Sequence, residues 1–214
     1  MGRRGWQDLA DFLTFPLRAL LLIEDDGWGL TALRSERLAY VAREVQGYCL
    51  DVGCGKHNRF VREFLGGRGK GIDIFPYEGL APEDLVDDLT RFPFPDRTFA
   101  TVTFIANLNH VPRPQRDAEL SEAFRCLSPG GNIVVTMGNP AAEIAAHLLV
   151  RFYDRFLHTR YDVDGMRGMS DSEAYYLGDQ EIVARLRLAG FRDIRKTFFA
   201  TQWGLNHLFV GWKA

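Results

Sequence analysis

Cysteine is scarce in this chain, and the scarcity limits what the protein can be. The 214 residues include only Cys49, Cys54 and Cys126, and no two of them form a CxxC pair. An odd number of cysteines without ligand spacing disfavours a disulfide framework and a zinc site. We expect buried thiols in a reducing, cytoplasmic setting. No cluster of His, Cys, Asp or Glu with metal-ligand spacing is evident, so no metal is expected.

An excess of one charge is also missing. The chain has 26 Lys and Arg against 28 Asp and Glu, which gives a formal net charge of −2 at pH 7. Nucleic-acid binding depends on neutralising phosphates and usually requires a basic face. We therefore expect no nucleic-acid partner.

Long apolar runs are absent as well. The run FLTFPLRALLLI (residues 12–23) is interrupted by Pro16 and Arg18 and is shorter than the roughly 20 apolar residues of a membrane span. Asp8 and Asp11 break the pattern of a signal peptide. Two interpretations remain for this segment. In the first, the segment rests on a membrane surface. In the second, which we favour, it packs over the ligand site or against a second copy in a homodimer.

From Tyr48 onward, strand-like and helix-like patterns alternate. Short apolar runs predict seven strands: YCLDV (48–52), KGIDIF (70–75), LVDD (85–88), FATVTFIA (99–106), NIVVTM (132–137), RDIRKTFFA (192–200) and GLNHLFVGW (204–212). LVDD is the weakest of these predictions, and the last two strands are expected to form an antiparallel pair. Helical spacing predicts helices within residues 1–47, in NRFVREFL (58–65), from Gln115 to Leu127 and in DQEIVARLRLAG (179–190), with SPGG (128–131) as a break. Asp179 is the N-cap candidate of the last helix. The alternation predicts an α/β sheet with helices on both faces, whose ligand lies beyond the carboxyl ends of the strands.

A glycine pair follows the first strand, but the third glycine of a dinucleotide loop is missing. Gly53 and Gly55 allow a tight turn and close approach to a ligand. The G-x-G-x-x-G fingerprint needs glycine at position 58, where Asn58 stands, and no phosphate-binding P-loop motif is present. A nicotinamide-dependent oxidoreductase is therefore disfavoured.

Three acids define a different ligand. Asp51 ends the first strand, where a carboxylate suits a cationic group better than a pyrophosphate. Asp73 ends the second strand, at a position where an acid can accept both hydroxyls of a ribose. Asp88 follows the third strand and can accept from an exocyclic amine, while the next backbone N–H meets a ring nitrogen. Together they predict a site for a nucleoside with a positive group and no phosphate, a description that fits S-adenosylmethionine.

Four segments carry a family resemblance. LDVGCG, GIDIF, FPFPDRTFATV and LSEAFRCLSPGGNIVV are similar, in order, to motifs of class I S-adenosylmethionine-dependent methyltransferases of the small-molecule branch. The resemblance is strong over residues 48–133 and continues in the order of elements. It implies a Rossmann-like, doubly wound, mostly parallel seven-stranded sheet with a C-terminal antiparallel strand pair. It also implies methyl transfer from S-adenosylmethionine to a small-molecule acceptor.

The resemblance implies one domain made of four parts. Residues 1–47 would form an N-terminal helical cap, and residues 48–137 the cofactor-binding half. Residues 138–177 would be a lid or substrate insertion, and residues 178–214 the last helix and the strand pair.

The resemblance also implies roles for individual residues. The residues that would bind the cofactor are Asp51, Gly53, Cys54 and Gly55 at the methionine end, Asp73 and Ile74 at the ribose, Asp88 and Leu89 at the adenine, and Ala106 beside the methyl group. His110 lies just beyond the fourth strand and is the candidate general base, and Asn109 could orient the acceptor. The alternative is that both are structural residues of a loop before Pro112.

Departures from the family pattern bear on the acceptor. His57 stands where a third glycine is frequent, and Ala100 where an acid is common. ANLNHV (106–111) replaces the N-P-P-Y motif of amino-methylating DNA enzymes, which argues against DNA adenine methylation. We expect a metabolite, glycan or lipid-linked acceptor and favour methylation at oxygen over nitrogen or carbon. The competing hypothesis is a catalytically inactive S-adenosylmethionine-binding or scaffolding protein of the same fold.

Overall fold

A computed structural model describes residues 2–139 and 177–214 of the chain. The helices in this part are α1 (Gly2–Leu13), α2 (Phe15–Leu21), α3 (Leu33–Ala42), α4 (Arg116–Cys126) and α5 (Asp179–Leu188). The strands are β1 (Cys49–Val52), β2 (Gly69–Ile72), β3 (Phe99–Ile105), β4 (Leu127–Gly138), β5 (Arg192–Phe198) and β6 (Asn206–Trp212). Apart from its ends, the expected lid at residues 138–177 lies outside the described residues.

The strands form one mixed sheet in the order β2-β1-β3-β4-β6-β5. β1 pairs in parallel with β2 on one side and with β3 on the other, and β4 continues the parallel part. β6 is antiparallel to both β4 and β5. The predicted doubly wound α/β fold is therefore confirmed, and its strand order reverses beside β1.

Helices cover both faces of this sheet because consecutive strand residues point to opposite faces. On one face, Val102 and Phe104 belong to a buried cluster with Leu120 of α4 and Leu186 of α5. On the other face, α3 contributes Leu38 and Val41 to a second cluster, with Cys49, Phe60 and Val134. All three cysteines are buried and free, as expected.

The described part of the sheet has six strands rather than seven. At the predicted third strand, a single parallel bridge joins Leu85 to Asp73, with Asp73 N donating to Asp84 O (3.0 Å) and Val86 N to Asp73 O (2.9 Å). The extended segment stops there because the Asp88 carboxylate accepts from Thr90 N at 2.7 Å and bends the backbone into a turn.

Three local predictions are corrected. The strand predicted from Asn132 begins earlier, at Leu127, so SPGG lies within β4, where Gly130 N donates to Lys213 O (2.8 Å); the preceding helix ends before SPGG as predicted, at Cys126. The N-cap of α5 is Gly178, and Asp179 is the first helical residue, ion-paired with Lys196. Residues 58–65 form no regular α-helix but a 3₁₀ turn (Lys56–Asn58) followed by a π-helical turn (Phe60–Phe64).

A buried arginine joins the N-terminal helices to the rest of the protein. Arg18 of α2 has 0% of its surface exposed and pairs with the Glu36 carboxylate of α3. Its Nη1 also donates to Asp11 O (2.6 Å) and its Nε to Thr31 O (2.7 Å). Gln202, in the turn between β5 and β6, donates to the same Glu36 carboxylate (2.9 Å). One guanidinium thus fixes α1, α2 and α3 against the sheet.

The outer side of α1 and α2 remains apolar and exposed. Trp6 is 76% exposed and Leu20 74%. Within residues 2–139 and 177–214, no helix combines the length and apolar character that crossing a membrane requires. Whether this surface meets a membrane or a second copy stays a prediction.

We predict that Arg18→Met lowers the free energy of unfolding by about 3–5 kcal/mol, because Glu36 would remain buried without its cation. Urea unfolding of the purified protein measures this. Arg187→Met, on the exposed face of α5, is the matched control and should change stability by less than about 0.5 kcal/mol. An equal loss of unfolding free energy in the two variants would contradict the stabilising role of the buried Arg18–Glu36 pair.

Candidate active site

The candidate site lies at the carboxyl ends of β1 and β3, where the strand order reverses. A cavity of about 640 Å³ opens there. Of the predicted site residues, it brings together Asp51, Gly53, Cys54, Gly55, Ala106, Asn109 and His110. This is the place where ligands bind in open α/β sheets.

The turn after β1 requires its glycines. Gly53 and Gly55 have φ values of 72° and 66°, which side chains rarely adopt. Gly53 N donates to Ile72 O at 2.8 Å, so the turn is pulled against the end of β2. A Cβ at Gly53 would lie 2.4 Å from the side-chain amide of Asn107, which itself donates to Val52 O (3.1 Å).

Asp51 is a buried carboxyl group on the cavity wall. Only 2% of its surface is exposed, and Thr103 Oγ1 donates to Oδ1 at 2.6 Å. Burial raises the pKa of Asp51 to about 7; the negative charge of Asp73 adds to the rise, while the Thr103 hydrogen bond and the charge of Arg34 oppose it. A cationic ligand group would restore its ionised form.

Asp73, the acid predicted at the ribose, is a buried residue directly after β2. It is 0% exposed and borders neither this cavity nor the smaller one described below. Its Oδ2 accepts from Gly55 N (2.9 Å) and its Oδ1 from Phe75 N (3.0 Å). In this structure the carboxylate stabilises the glycine turn, and its role at a ribose stays a prediction.

The residues at the missing third glycine also have a structural explanation. His57 and Asn58 both have positive φ values, 59° and 47°. A Cβ at Gly79 would come within 2.0 Å of His57 Nδ1, and one at Gly71 within 2.5 Å of Asn58 Oδ1. The side chains of His57 and Asn58 therefore fit only because the residues that face them, Gly79 and Gly71, have no side chain.

A second, smaller cavity holds the residues predicted at the adenine. Its volume is about 160 Å³, and it is bordered by Ile74, Asp88, Leu89 and His110, among others. Asp88 is exposed, and hydrogen bonds from the Thr90 hydroxyl and backbone lower its pKa. His110 borders both cavities, so it stands at their junction.

Asn109 and His110 form a pair at this junction. Asn109 Nδ2 lies 3.2 Å from His110 Nε2. Asn109 is 2% exposed, and its Oδ1 has no hydrogen-bond partner among the described residues. If the amide were turned over, Nδ2 would lack the partner instead. In either orientation one buried amide atom is left for a ligand, because buried polar groups are otherwise satisfied.

The wall opposite the sheet comes from the N-terminal segment that we expected to pack over the ligand site, although its apolar residues at the cavity were not predicted individually. Its side chains come mainly from α2, α3 and the loop between them: Phe15, Ala19, Ile23, Glu24, Leu33, Arg34, Arg37 and Leu38. Phe15, Ala19 and Ile23 recur every fourth residue, a spacing typical of one helical face. That spacing was a usable signal within residues 12–23.

The geometry fits the methionine end of S-adenosylmethionine. The turn offers bare backbone at Gly53 and Gly55, and Asp51 is suited to an ammonium or sulfonium charge. Asn109 offers an unsatisfied amide atom beside the same cavity. These three features would hold the group without any phosphate-binding element.

Comparison with known proteins supports the same family. A family model described as a methyltransferase domain matches residues 29–194, which is most of the chain. The chain belongs to this methyltransferase family. Its cofactor is S-adenosylmethionine. The predicted identity and cofactor are therefore confirmed, and the roles of single residues in this methyltransferase stay predictions.

One curated relative and two solved structures illustrate the similarity. A ubiquinone/menaquinone biosynthesis C-methyltransferase of Rhizobium leguminosarum bv. trifolii is 32% identical over 132 residues, covering 58% of this methyltransferase and 48% of the relative. A SAM-dependent methyltransferase from Archaeoglobus fulgidus aligns with a TM-score of 0.61 at 15% identity, covering 85% and 95% of the two chains. A 1,6-didemethyltoxoflavin-N1-methyltransferase of Burkholderia thailandensis, solved with 1,6-didemethyltoxoflavin and S-adenosylhomocysteine, aligns with a TM-score of 0.52 at 15% identity, covering 99% and 83%.

The curated relatives and the solved structures support different conclusions. The methyltransferase spans about half the length of the curated relatives it matches. The solved structures share its fold, at identities too low to transfer a substrate.

We predict that the stability of the methyltransferase depends on pH through Asp51. Its folded-state pKa of about 7 exceeds the ordinary value of 3.8, so the folded state binds the proton more tightly. The stabilising contribution is full below about pH 4 and is lost as pH rises through about 7. Asp51→Asn should remove this dependence, as measured by urea unfolding from pH 4 to 8. The exposed Asp87→Asn should retain the wild-type pH dependence; an unchanged pH dependence in Asp51→Asn would contradict burial of a titrating carboxyl.

We also predict that Gly53→Ala abolishes S-adenosylhomocysteine binding in calorimetry and destabilises the fold. The control is Gly66→Ala, where φ is 60° and no atom lies within 4 Å of the added Cβ. Both variants carry the left-handed strain of about 1–2 kcal/mol, but only Gly53→Ala displaces Asn107. Identical binding by the two variants would show that the close approach at Gly53 is dispensable.

Proposed function

We propose that the protein transfers the methyl group of S-adenosylmethionine to a hydroxyl oxygen of a small, largely apolar acceptor. The observation that carries the proposal is the shared cavity of about 640 Å³, which joins the Asp51 turn to the apolar wall of α2 and α3. When bound, the cofactor supplies an activated methyl group on a sulfonium. The residues described below align the acceptor and exclude water.

The apolar character of the acceptor follows from the wall. Phe15, Ala19 and Ile23 enter the cavity from the α2 side, and Leu38 and Ile105 from α3 and β3. Such surfaces bind apolar or aromatic groups by removing them from water. The wall therefore favours an acceptor with an apolar body over a free sugar.

The hydroxyl on the acceptor follows from the Asn109–His110 pair. With the Asn109 amide turned over, its Oδ1 accepts from the N–H at His110 Nε2, and Nδ1 is then the ring nitrogen that can take the hydroxyl proton as the methyl group arrives. The buried Nδ2 of Asn109 can donate to the acceptor oxygen and orient it. His110 is suited to this role because it lies where the two cavities meet. The chain thus supplies an orienting amide and a base at one point.

A second candidate keeps the same residues and changes the acceptor atom. The Rhizobium relative is named a C-methyltransferase of ubiquinone and menaquinone biosynthesis. If a quinol were the acceptor here, removal of its hydroxyl proton by His110 would make the neighbouring ring carbon nucleophilic. Oxygen and carbon transfer then share the first deprotonation and differ in which atom faces the methyl group. Carbon transfer also requires the methylated carbon to lose its ring proton, which restores the aromatic ring.

The test uses radiolabelled S-adenosylmethionine with a panel of phenols, hydroquinones and naphthoquinols, followed by mass spectrometry and NMR of the product. A methyl ether supports oxygen transfer, and a ring methyl supports the second candidate. Cofactor binding without any transfer across the panel would favour the catalytically inactive alternative. Failure to bind S-adenosylhomocysteine would overturn the proposal.

We predict that His110→Gln lowers kcat by about 100-fold or more, because general base catalysis contributes roughly 10²–10⁴-fold. The affinity for S-adenosylhomocysteine should remain near wild type. The dependence of kcat on pH should differ from that of the wild type, because the variant lacks the base. A variant with an unaltered pH–rate profile would assign His110 a structural role in its loop.

A further inference from the structure

Arg34 places a positive charge over the glycine turn. It is the second residue of α3, and its Nη2 lies 3.9 Å from the position that a Cβ at Gly55 would take. Arg34 borders the same cavity as Asp51 and acts on that carboxyl electrostatically, opposing the rise in pKa that burial causes. The turn therefore faces one acidic and one basic side chain.

Arg34 also retains donors for a ligand. Its Nη1 donates to Glu24 Oε2 at 2.5 Å, and Glu24 is 61% exposed. Within residues 2–139 and 177–214, its Nη2 and Nε donate no hydrogen bond. The neighbouring Arg59 differs, because its Nε, Nη1 and Nη2 donate to the Glu63 carboxylate, Glu24 O and Ser35 Oγ respectively. Of these two arginines at the cavity, Arg34 is the one with a free donor over the turn.

The chemistry that matches this arrangement is an α-amino acid. Such a group carries an ammonium and a carboxylate on one carbon atom. Asp51 suits the ammonium, and a guanidinium suits a carboxylate because its parallel N–H groups can bind both oxygens. The cofactor of this family has one such group, at its methionine end.

We propose that Arg34 binds the carboxylate of the cofactor's methionine end, so that Arg34 and Asp51 together recognise the zwitterion. The inference rests on the proposed function, since it takes S-adenosylmethionine as the methyl donor. It adds a residue from the N-terminal helices to a site that the sequence motifs confine to residues 51–110.

The position of Arg34 gives this contact a consequence for the acceptor wall. Two residues further along α3, Glu36 pairs with Arg18 of α2, and α2 carries Phe15 and Ala19 into the cavity. A carboxylate on Arg34 therefore links the glycine turn to the helices that form the acceptor wall. Bound cofactor should stabilise that wall before the acceptor enters.

The experiment compares two ligands by calorimetry. One is S-adenosylhomocysteine, and the other is its decarboxylated analogue, which keeps the amine and lacks the carboxylate. Arg34→Ala should weaken S-adenosylhomocysteine binding by about 10- to 100-fold, as for the loss of a hydrogen bond to a charged group. The same variant should bind the decarboxylated analogue as the wild type does. Arg62→Ala is the matched control; it removes an exposed arginine that does not border the cavity and should retain affinity for S-adenosylhomocysteine.

Each other outcome has a distinct meaning. Equal weakening of both ligands by Arg34→Ala would assign Arg34 a structural role at the start of α3 and overturn the inference. Unchanged binding of S-adenosylhomocysteine by Arg34→Ala would overturn it as well. If wild-type protein binds neither ligand, the proposed function itself fails. Urea unfolding of each variant establishes that the binding measurements refer to folded protein.

Discussion

The close approach of backbone after β1 is the constraint on which the rest of the site depends. Gly53 must pass against the amide of Asn107, and Gly55 N must reach the buried carboxylate of Asp73. These contacts join the ends of β1, β2 and β3 at the point where the strand order reverses. Because the turn is fixed by backbone groups, its amides and the Asp51 carboxyl are held in place before any ligand binds. Such preorganisation reduces the cost of binding.

The N-terminal helices form the wall of the ligand cavity that lies opposite the sheet. A buried arginine is costly unless it is well paired and hydrogen-bonded, and each of the three side-chain nitrogens of Arg18 has an acceptor: the Glu36 carboxylate and the backbone carbonyls of Asp11 and Thr31. The same helices supply the apolar wall of the cavity. Their fixed position is therefore a condition for binding an apolar acceptor, and Arg34 connects that wall to the cofactor end of the site.

Several site residues could be found from their place in a strand–turn–helix pattern. Asp51, Gly53 and Gly55 do border the cavity, as do Asn109 and His110, since the ends of parallel strands meet at one edge of the sheet. Asp73 was found by the same rule, yet its carboxylate bonds Gly55 and Phe75 instead of facing the cavity. The local pattern gives the position of a carboxyl group along the chain but not which donors lie nearest to it.

The sequence by itself determined the fold class, the family and the glycine turn, because strand periodicity, turn chemistry and motif order are local properties. Only the tertiary structure decided how distant segments complete the site. It brought α2 and α3 over the turn, and it matched His57 and Asn58 to Gly79 and Gly71 on the facing segments. Those contacts depend on packing between residues far apart in the chain, which no periodicity within a segment can encode.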